Sequence, residues 1–254
     1  MKKRVFTCLS LLVASFCYGQ FGFKSAVVEA ESDREPFLFD RISYSRGTTW
    51  VDYGTGTGHY LSVVDNFGYE GRSSVKIGLA SNAAENELAR GGRYLPTAPS
   101  GILDIEFFFC YENIADQMKY MEFRVVHIQD SDSSLYYPKI EYHINGGLWK
   151  FENSSGTMET IISDYNVERY TYWNYARIVV DVINHEWIKF QINRQEVDLS
   201  GEGMYRQGKS PYFQLSKFDF GCHPVGNNNA VTMWLDEVKV YDYVRSKGRL
   251  STDD

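Results

Sequence analysis

Residues 140–151 read IEYHINGGLWKF: an alternating run, then Asn145-Gly146-Gly147, then a second alternating run. Asn-Gly supplies the left-handed backbone that a tight primed turn needs, so the two runs are expected to lie side by side as a hairpin. The same device recurs in RIVVDVINHEWIKFQI around Asn184 and His185, with less ideal turn residues, and in QINRQEVDL around Asn193 and Arg194. Other short β-branched and aromatic runs, bounded by Gly, Asn, Asp and Ser, predict strands near 37–44, 59–65, 73–79, 102–110 and 119–129. More are expected near 136–144, 147–152, 174–183, 186–193, 211–220 and 230–243. No stretch longer than the N-terminal apolar run sustains a helical period. Many short strands with turn signals between them define an all-β chain, a sandwich or a barrel.

The segment LASNAAENELARGGRYLPTAPSG, 79–101, reads least like a strand. It is expected to be a long connection over the sheet, with a helical turn or two ended by Gly91-Gly92. No repeat period and no Pro/Ser linker divides the chain, so a single domain is expected over 36–244. Residues 1–19 have the layout of a secretory signal peptide: Lys2, Lys3 and Arg4, then a short apolar run, then Gly19. Residues 20–35 then form a lead-in, and 245–254 a flexible tail. Beyond the leader nothing is long and apolar enough to span a bilayer, so an exported protein is expected, soluble or surface-attached.

Without the leader the chain holds 23 basic against 33 acidic residues, a net charge of −10. That balance argues against nucleic acid as a partner. It also disfavours a polyanionic glycan unless a local basic patch exists. Cys8 and Cys17 leave with the leader, and Cys110 and Cys222 stay. Each lies near the end of an expected strand, so they either bridge the two sheets or sit as separate buried thiols.

The order of elements in the second half carries a resemblance. YTYWNYARIVVDVINHEWIKFQINRQEVDL gives a Trp, a strand ending in Asp181, a strand with Trp187 and Phe190, and Asn193 in a turn; NNNAVTMWLDEVKVYD follows. This order resembles the concanavalin A-like lectin/glucanase superfamily, the laminin-G-like jelly rolls, over Pro36 to Tyr243. The resemblance implies an antiparallel two-sheet jelly-roll sandwich whose closing strand pairs with PFLFDRIS. It also implies a structural Ca²⁺, with Asp40 and Asp236 as candidate ligands; a turn-capping role for Asp236 is the alternative. In VTMWLDEVKVYDY neither alternate set is wholly apolar, so a bulge or a twist is expected near Asp236. A fainter likeness joins VVEAES, 27–32, to the start of family-6-type carbohydrate-binding modules.

Glucanases of this superfamily carry Glu-x-Asp-x-Glu on one strand, with the first Glu as nucleophile. Here GILDIEFFFC puts Ile102 at that place and leaves only Asp104 and Glu106. Ile cannot attack a sugar carbon, so retaining hydrolysis is not expected at this strand. A polysaccharide lyase is a second reading, because FRVVHIQD offers Arg124, His127 and Gln129, and Arg90, Arg93, Tyr142 and His143 lie on other elements. The leading reading is a non-catalytic module for extracellular oligo- or polysaccharide. Its candidate stacking faces are Trp50, Tyr94, Tyr142, Trp149 and Tyr212. Its polar partners are His59, Arg93, Arg124, His127, Glu141 and Asn227. A structural or adhesive surface role is the third. Convergence of His127, Gln129, Tyr142 and Arg93 on one concave sheet would mark the lyase. A face plugged by 79–101 would mark the structural role.

Overall fold

The computed structural model describes residues 38–40, 50–56, 58–69, 73–80, 86–95, 99, 101–112, 117–129, 134–167, 172–209, 216–226 and 230–243, with backbone alone at 38–40, 128, 129 and 209. All belong to the unit Phe37–Asp254; the expected leader, the lead-in with its VVEAES likeness, and the expected tail lie outside the described residues.

Among the described residues every regular element is a strand. In chain order these are β1 (Leu38–Asp40), β2 (Trp50–Asp52), β3 (His59–Val64), β4 (Ser74–Leu79), β5 (Ala89–Tyr94) and β6 (Ile102–Glu112). Next come β7 (Met118–Gln129), β8 (Ser134–Tyr136), β9 (Lys139–His143), β10 (Leu148–Glu152) and β11 (Met158–Ile162). The last six are β12 (Asn174–Asp181), β13 (Glu186–Ile192), β14 (Gln195–Asp198), β15 (Arg206–Lys209), β16 (Lys217–Pro224) and β17 (Val231–Tyr243). The first sheet runs β14-β13-β12-β6-β17-β4-β3, with β1 also on β17. The second runs β11-β10-β9-β7-β16-β5-β2, with β8 and β15 extending from β7. All pairings are antiparallel.

Strand alternation builds the core. Leu103, Ile105, Phe107 and Phe109 of β6 face Met121, Phe123 and Val125 of β7 across the sandwich. Phe107 and Phe123 lie 4.8 Å apart by ring centroid, and Trp149 lies 4.9 Å from Phe190. The β9–β10 turn has positive φ at Gly146 (89°) and Gly147 (57°). At Gly147 a Cβ would lie 3.0 Å from the Tyr165 backbone, so both space and conformation require glycine there.

The closing strand changes parity midway. Val231, Met233 and Leu235 face the core, then Val238 and Val240 do. The switch is a bulge: the register against β6 shifts between Asp236 and Lys239, and Glu237 has φ 47°. Both oxygens of Asp236 accept backbone amides, Oδ1 from Glu237 and Oδ2 from Tyr69, each at 2.8 Å. Asp236 thus fastens the bulge and the 65–69 loop. The side chain of Asp40, the other candidate calcium ligand, lies outside the described residues, although its backbone pairs with Val238. Among the described residues no group of three or more His, Cys, Asp or Glu is arranged to hold a metal ion.

One expectation needs correction, and one open choice is settled. Residues 89–94 are not part of a connection but a strand inside the second sheet, paired on both edges. Gly91-Gly92 permits this: a Cβ on Gly91 would press on Phe220 and Ile77 at 3.0 and 3.1 Å. A plug from the whole of 79–101 is therefore excluded. Cys110 and Cys222 are both free and buried. Cys222 points into the core, whereas Cys110 is on the outer side of β6, opposite Trp234, so the layer of the first sheet separates them. No helix among the described residues is long and apolar enough to cross a membrane.

Candidate functional site

The second sheet has a charged and aromatic outer face, and strand alternation puts it there. In β16 Phe218, Phe220 and Cys222 go inward, so Lys217, Asp219 and His223 go outward. In β7 Met121, Phe123 and Val125 go inward, so Tyr120, Glu122 and Arg124 go outward. Register then lines the outward groups up in rows. Gly92, Asp219, Arg124 and Lys139 form one row across β5, β16, β7 and β9. Arg90, Gly221, Glu122, Glu141 and Lys150 form the next, reaching β10. His223, Tyr120 and His143 form the third.

Within these rows the carboxylates are tied down. Arg124 Nη2 donates to Asp219 Oδ2 at 2.7 Å, and Lys217 Nζ lies 3.2 Å from the same oxygen. Arg90 grips Glu122 Oε1 through Nε, at 2.8 Å, and through Nη2. Lys139 reaches Glu141 at 3.0 Å and Glu152 at 3.6 Å. Glu141 Oε2 meets His143 Nε2 at 2.8 Å, and Glu122 Oε2 lies 3.5 Å from His223 Nε2. The glycines make the recesses: a Cβ at Gly92 would collide with Asp219 Oδ1, and one at Gly221 would lie 3.2 Å from Glu122 Oε1. Arg124 Nε and Asp219 Oδ1 have no hydrogen-bond partner among the described residues.

Rings flank the charges. Tyr120 stacks between His143 and His223, with centroids at 5.2 and 4.1 Å. Arg124 lies over Tyr137 at 5.0 Å, and Lys217 over Tyr53 at 3.5 Å. Tyr53 meets Tyr94 edge-on at 6.5 Å, and Tyr94 and Val51 are exposed at that end.

Burial alone would push the Glu122 carboxyl up, but His223, Arg90 and Arg124 outweigh it and hold the group well below the usual carboxylate range. Glu141 follows the same logic, with His143 and Lys139 outweighing burial. Glu152 goes the other way, raised by burial and Glu141 despite Lys139. Burial, Glu141 and Glu122 push the Tyr120 phenol up, so it keeps its proton at neutral pH. This face therefore offers fixed charges, donors and flat rings, with one phenol and two imidazoles at one end.

The structure disperses the residues singled out in the sequence. Arg124, Glu141 and Tyr94 stand on this face, as do Arg90 and His143 of the lyase reading. Trp50, Tyr142 and Trp149 do not: all three are buried between the sheets, Trp50 edge-on to Phe220 and Tyr142 accepting the Val167 amide. They fill the core and present no ring to a ligand. His127 also points inward, 6.3 Å from His185, and Arg93 is half-buried beside Phe218 on the inward side of β5. The lyase set of His127, Gln129, Tyr142 and Arg93 therefore does not converge on an outer face. The Gln129 side chain, Tyr212 and Asn227 lie outside the described residues. His59 pairs with Asp52 at 3.0 Å on the β3 side. Glu122, Asp219, Lys217, His223 and Tyr120 were missed as site residues. Their signal was the polar half of the alternation in KYMEFRVV and KFDFGCHP.

Asp104 and Glu106 lie on the outer face of the other sheet. Arg177 holds Asp104 through Nε at 2.9 Å and Nη2 at 2.7 Å, and lies 3.8 Å from Glu106. Asp104 is buried, so this pair is a structural clamp between β6 and β12.

Two antiparallel sheets in this order, with a bulged closing strand beside β6, define a concanavalin A-like jelly roll. An endo-β-1,4-glucuronan lyase from the fungus Trichoderma reesei shares the fold at TM-score 0.54 and 12% identity, over 82% of this chain and 96% of that one. A carbohydrate esterase from Shiga toxin-encoding bacteriophage phi24B gives TM-score 0.51 at 13% identity, over 81% and 97%. The cellulose-induced protein Cip1 gives 0.53 at 10%, over 81% and 97%. No protein-family profile matches the chain, and no curated protein matches its sequence.

Proposed function

We propose that the protein is exported and binds carbohydrate, without cleaving it, on the outer face of the second sheet. One observation carries the reading: rings and pre-ordered hydrogen-bonding groups share a single face, from Tyr53 and Tyr94 at one end to Tyr120 at the other. A sugar has apolar C–H faces that stack on rings and a rim of hydroxyls that needs donors and acceptors. The ion pairs hold those groups in place before a ligand arrives, which lowers the ordering cost of binding. The fold neighbours named for a glucuronan lyase and a carbohydrate esterase support a saccharide as the ligand.

A glycan array run beside reducing-end and unsaturated-uronate assays tests it. Retention without new ends is the expected result. Tyr94→Ala should weaken retention by about threefold to tenfold, the worth of one stacked ring. Retention of no glycan would refute the reading.

A second reading, acid–base cleavage of the bound glycan, is favoured by the Tyr120, His143 and His223 stack. A phenol that keeps its proton can donate to a leaving oxygen while an imidazole accepts a proton. New ends that vanish in Tyr120→Phe would select this reading.

A further inference from the structure

We infer that the saccharide taken by this face is acidic, its ring carboxylates or sulfates meeting Arg90, Arg124, Lys139 and Lys217; the inference rests on the glycan-binding reading above. The layering of charge carries it. In the ion pairs of this face the cation is the outer partner. Arg124 is 18% exposed against 0% for Asp219, and Arg90 is 17% against 5% for Glu122. Lys217 and Lys139 lie above Asp219 and Glu141 in the same way. The anions sit at the base, over Gly92 and Gly221, and the cations form the surface a ligand touches.

The balance of charge agrees. From β5 to β10 the face carries five Lys and Arg side chains, Lys150 included, against four carboxylates, on a chain whose formal net charge is −7. The face thus has a slight excess of cations on an acidic protein, with the cations outermost. The buried carboxylates do more than neutralise: they fix each cation at one angle. Arg124 turns Nη2 down to Asp219 and lies over the Tyr137 ring, which holds the guanidinium plane. A guanidinium held this way can take a planar carboxylate or a sulfate oxygen with little reordering. A neutral sugar would make no charge contact with this outward cation layer. The two anionic groups share this chemistry, and the experiment separates them.

Affinity is measured on the full chain by titration calorimetry with polygalacturonate, its carboxyl-reduced form, dextran sulfate and unmodified dextran. Binding is expected to an anionic polymer, with a loss of at least about tenfold for its neutral counterpart. It should also weaken as ionic strength rises from about 0.01 M to about 0.15 M. Preference for polygalacturonate assigns the carboxylate, and preference for dextran sulfate assigns the sulfate. Arg124→Gln should lower affinity about tenfold. Lys150→Gln, which breaks no ion pair among the described residues, should lower it about threefold with an unchanged melting curve. A neutral polymer bound as tightly as its acidic form overturns the inference and leaves glycan binding standing. So does a folded Lys150→Gln that binds the acidic polymer undiminished at low salt. Binding to none of the polymers, and to no glycan on an array, overturns both.

Discussion

Replacing Gly92 by Ala tests the geometry of the outer face with one methyl group. The new Cβ would stand within 3.0 Å of Asp219 Oδ1 and 2.8 Å from Tyr53 Cε2. To regain ordinary C···O contact the carboxylate must withdraw by roughly 1 Å. A surface carboxylate would swing aside at little cost. Asp219 is fully buried, and its other oxygen is held by Arg124 and Lys217. Overpacking of this kind costs about 1–3 kcal/mol, and fully breaking a buried ion pair costs about 3–5 kcal/mol. Against that, Ala is about 0.5–1 kcal/mol better than Gly in a strand. The net expectation is a loss of about 2–3 kcal/mol, or about 4–12 °C in Tm for a domain of this size. Urea melts of Gly92→Ala, of Asp219→Ala and of the double variant measure it. With the carboxylate gone, adding Gly92→Ala should cost less than about 1 kcal/mol, so the two sites couple by about 1–2 kcal/mol. A Gly92→Ala protein as stable as the parent, or additive losses in the double variant, would refute this account of the face.

Arg177→Ala should cost about 3–5 kcal/mol, because it leaves the buried Asp104 carboxylate alone, whereas the apolar pair Asp104→Leu with Arg177→Met should recover most of that loss; chemical denaturation distinguishes them. Glu122 and Glu141 are held below the unfolded Glu value of about 4.3, so their contribution is complete above about pH 4.3 and is lost as pH falls below it. Urea midpoints taken downward from neutral pH should therefore drop in acid, and Glu122→Gln should flatten that drop. Burial pushes the thiols of Cys110 and Cys222 up, so neither should react with an alkylating agent in the native state. After unfolding without reductant both should alkylate, as peptide mapping will read; a protected pair would contradict their free state.

Much of the framework was legible because alternation and turn residues are local signals. The hairpins at Asn145-Gly146-Gly147 and at Asn193 stand as the sequence implies, and Asn193 has φ 49°. The two apolar half-sets of β17 called for a bulge or a twist near Asp236, and the structure has the bulge. What was missed is short or non-local. β2 and β8 have three residues each, too few to show a period. β5 reads ARGGRY, in which glycines that answer to Phe220 and Asp219 look like breakers when read alone. Three of the candidate stacking rings were misplaced for a related reason. Trp149 and Tyr142 attract attention by residue type, yet large rings are what a sandwich core buries. Asp219, Glu122 and Lys217 gain meaning only from cross-strand register, which joins residues 95 positions apart, as in Arg124 and Asp219.

The place of β17 bears on how the chain can be made. It is the last strand in sequence, yet it lies in the middle of the first sheet, between β6 on one edge and β4 and β1 on the other. A nascent polypeptide ending before Val231 would hold that sheet as three unjoined pieces, β14-β13-β12-β6, β4-β3 and β1 alone. Such a chain stays unfolded during synthesis and closes only when residues 231–243 emerge. A truncation at residue 230 should yield no cooperative melt.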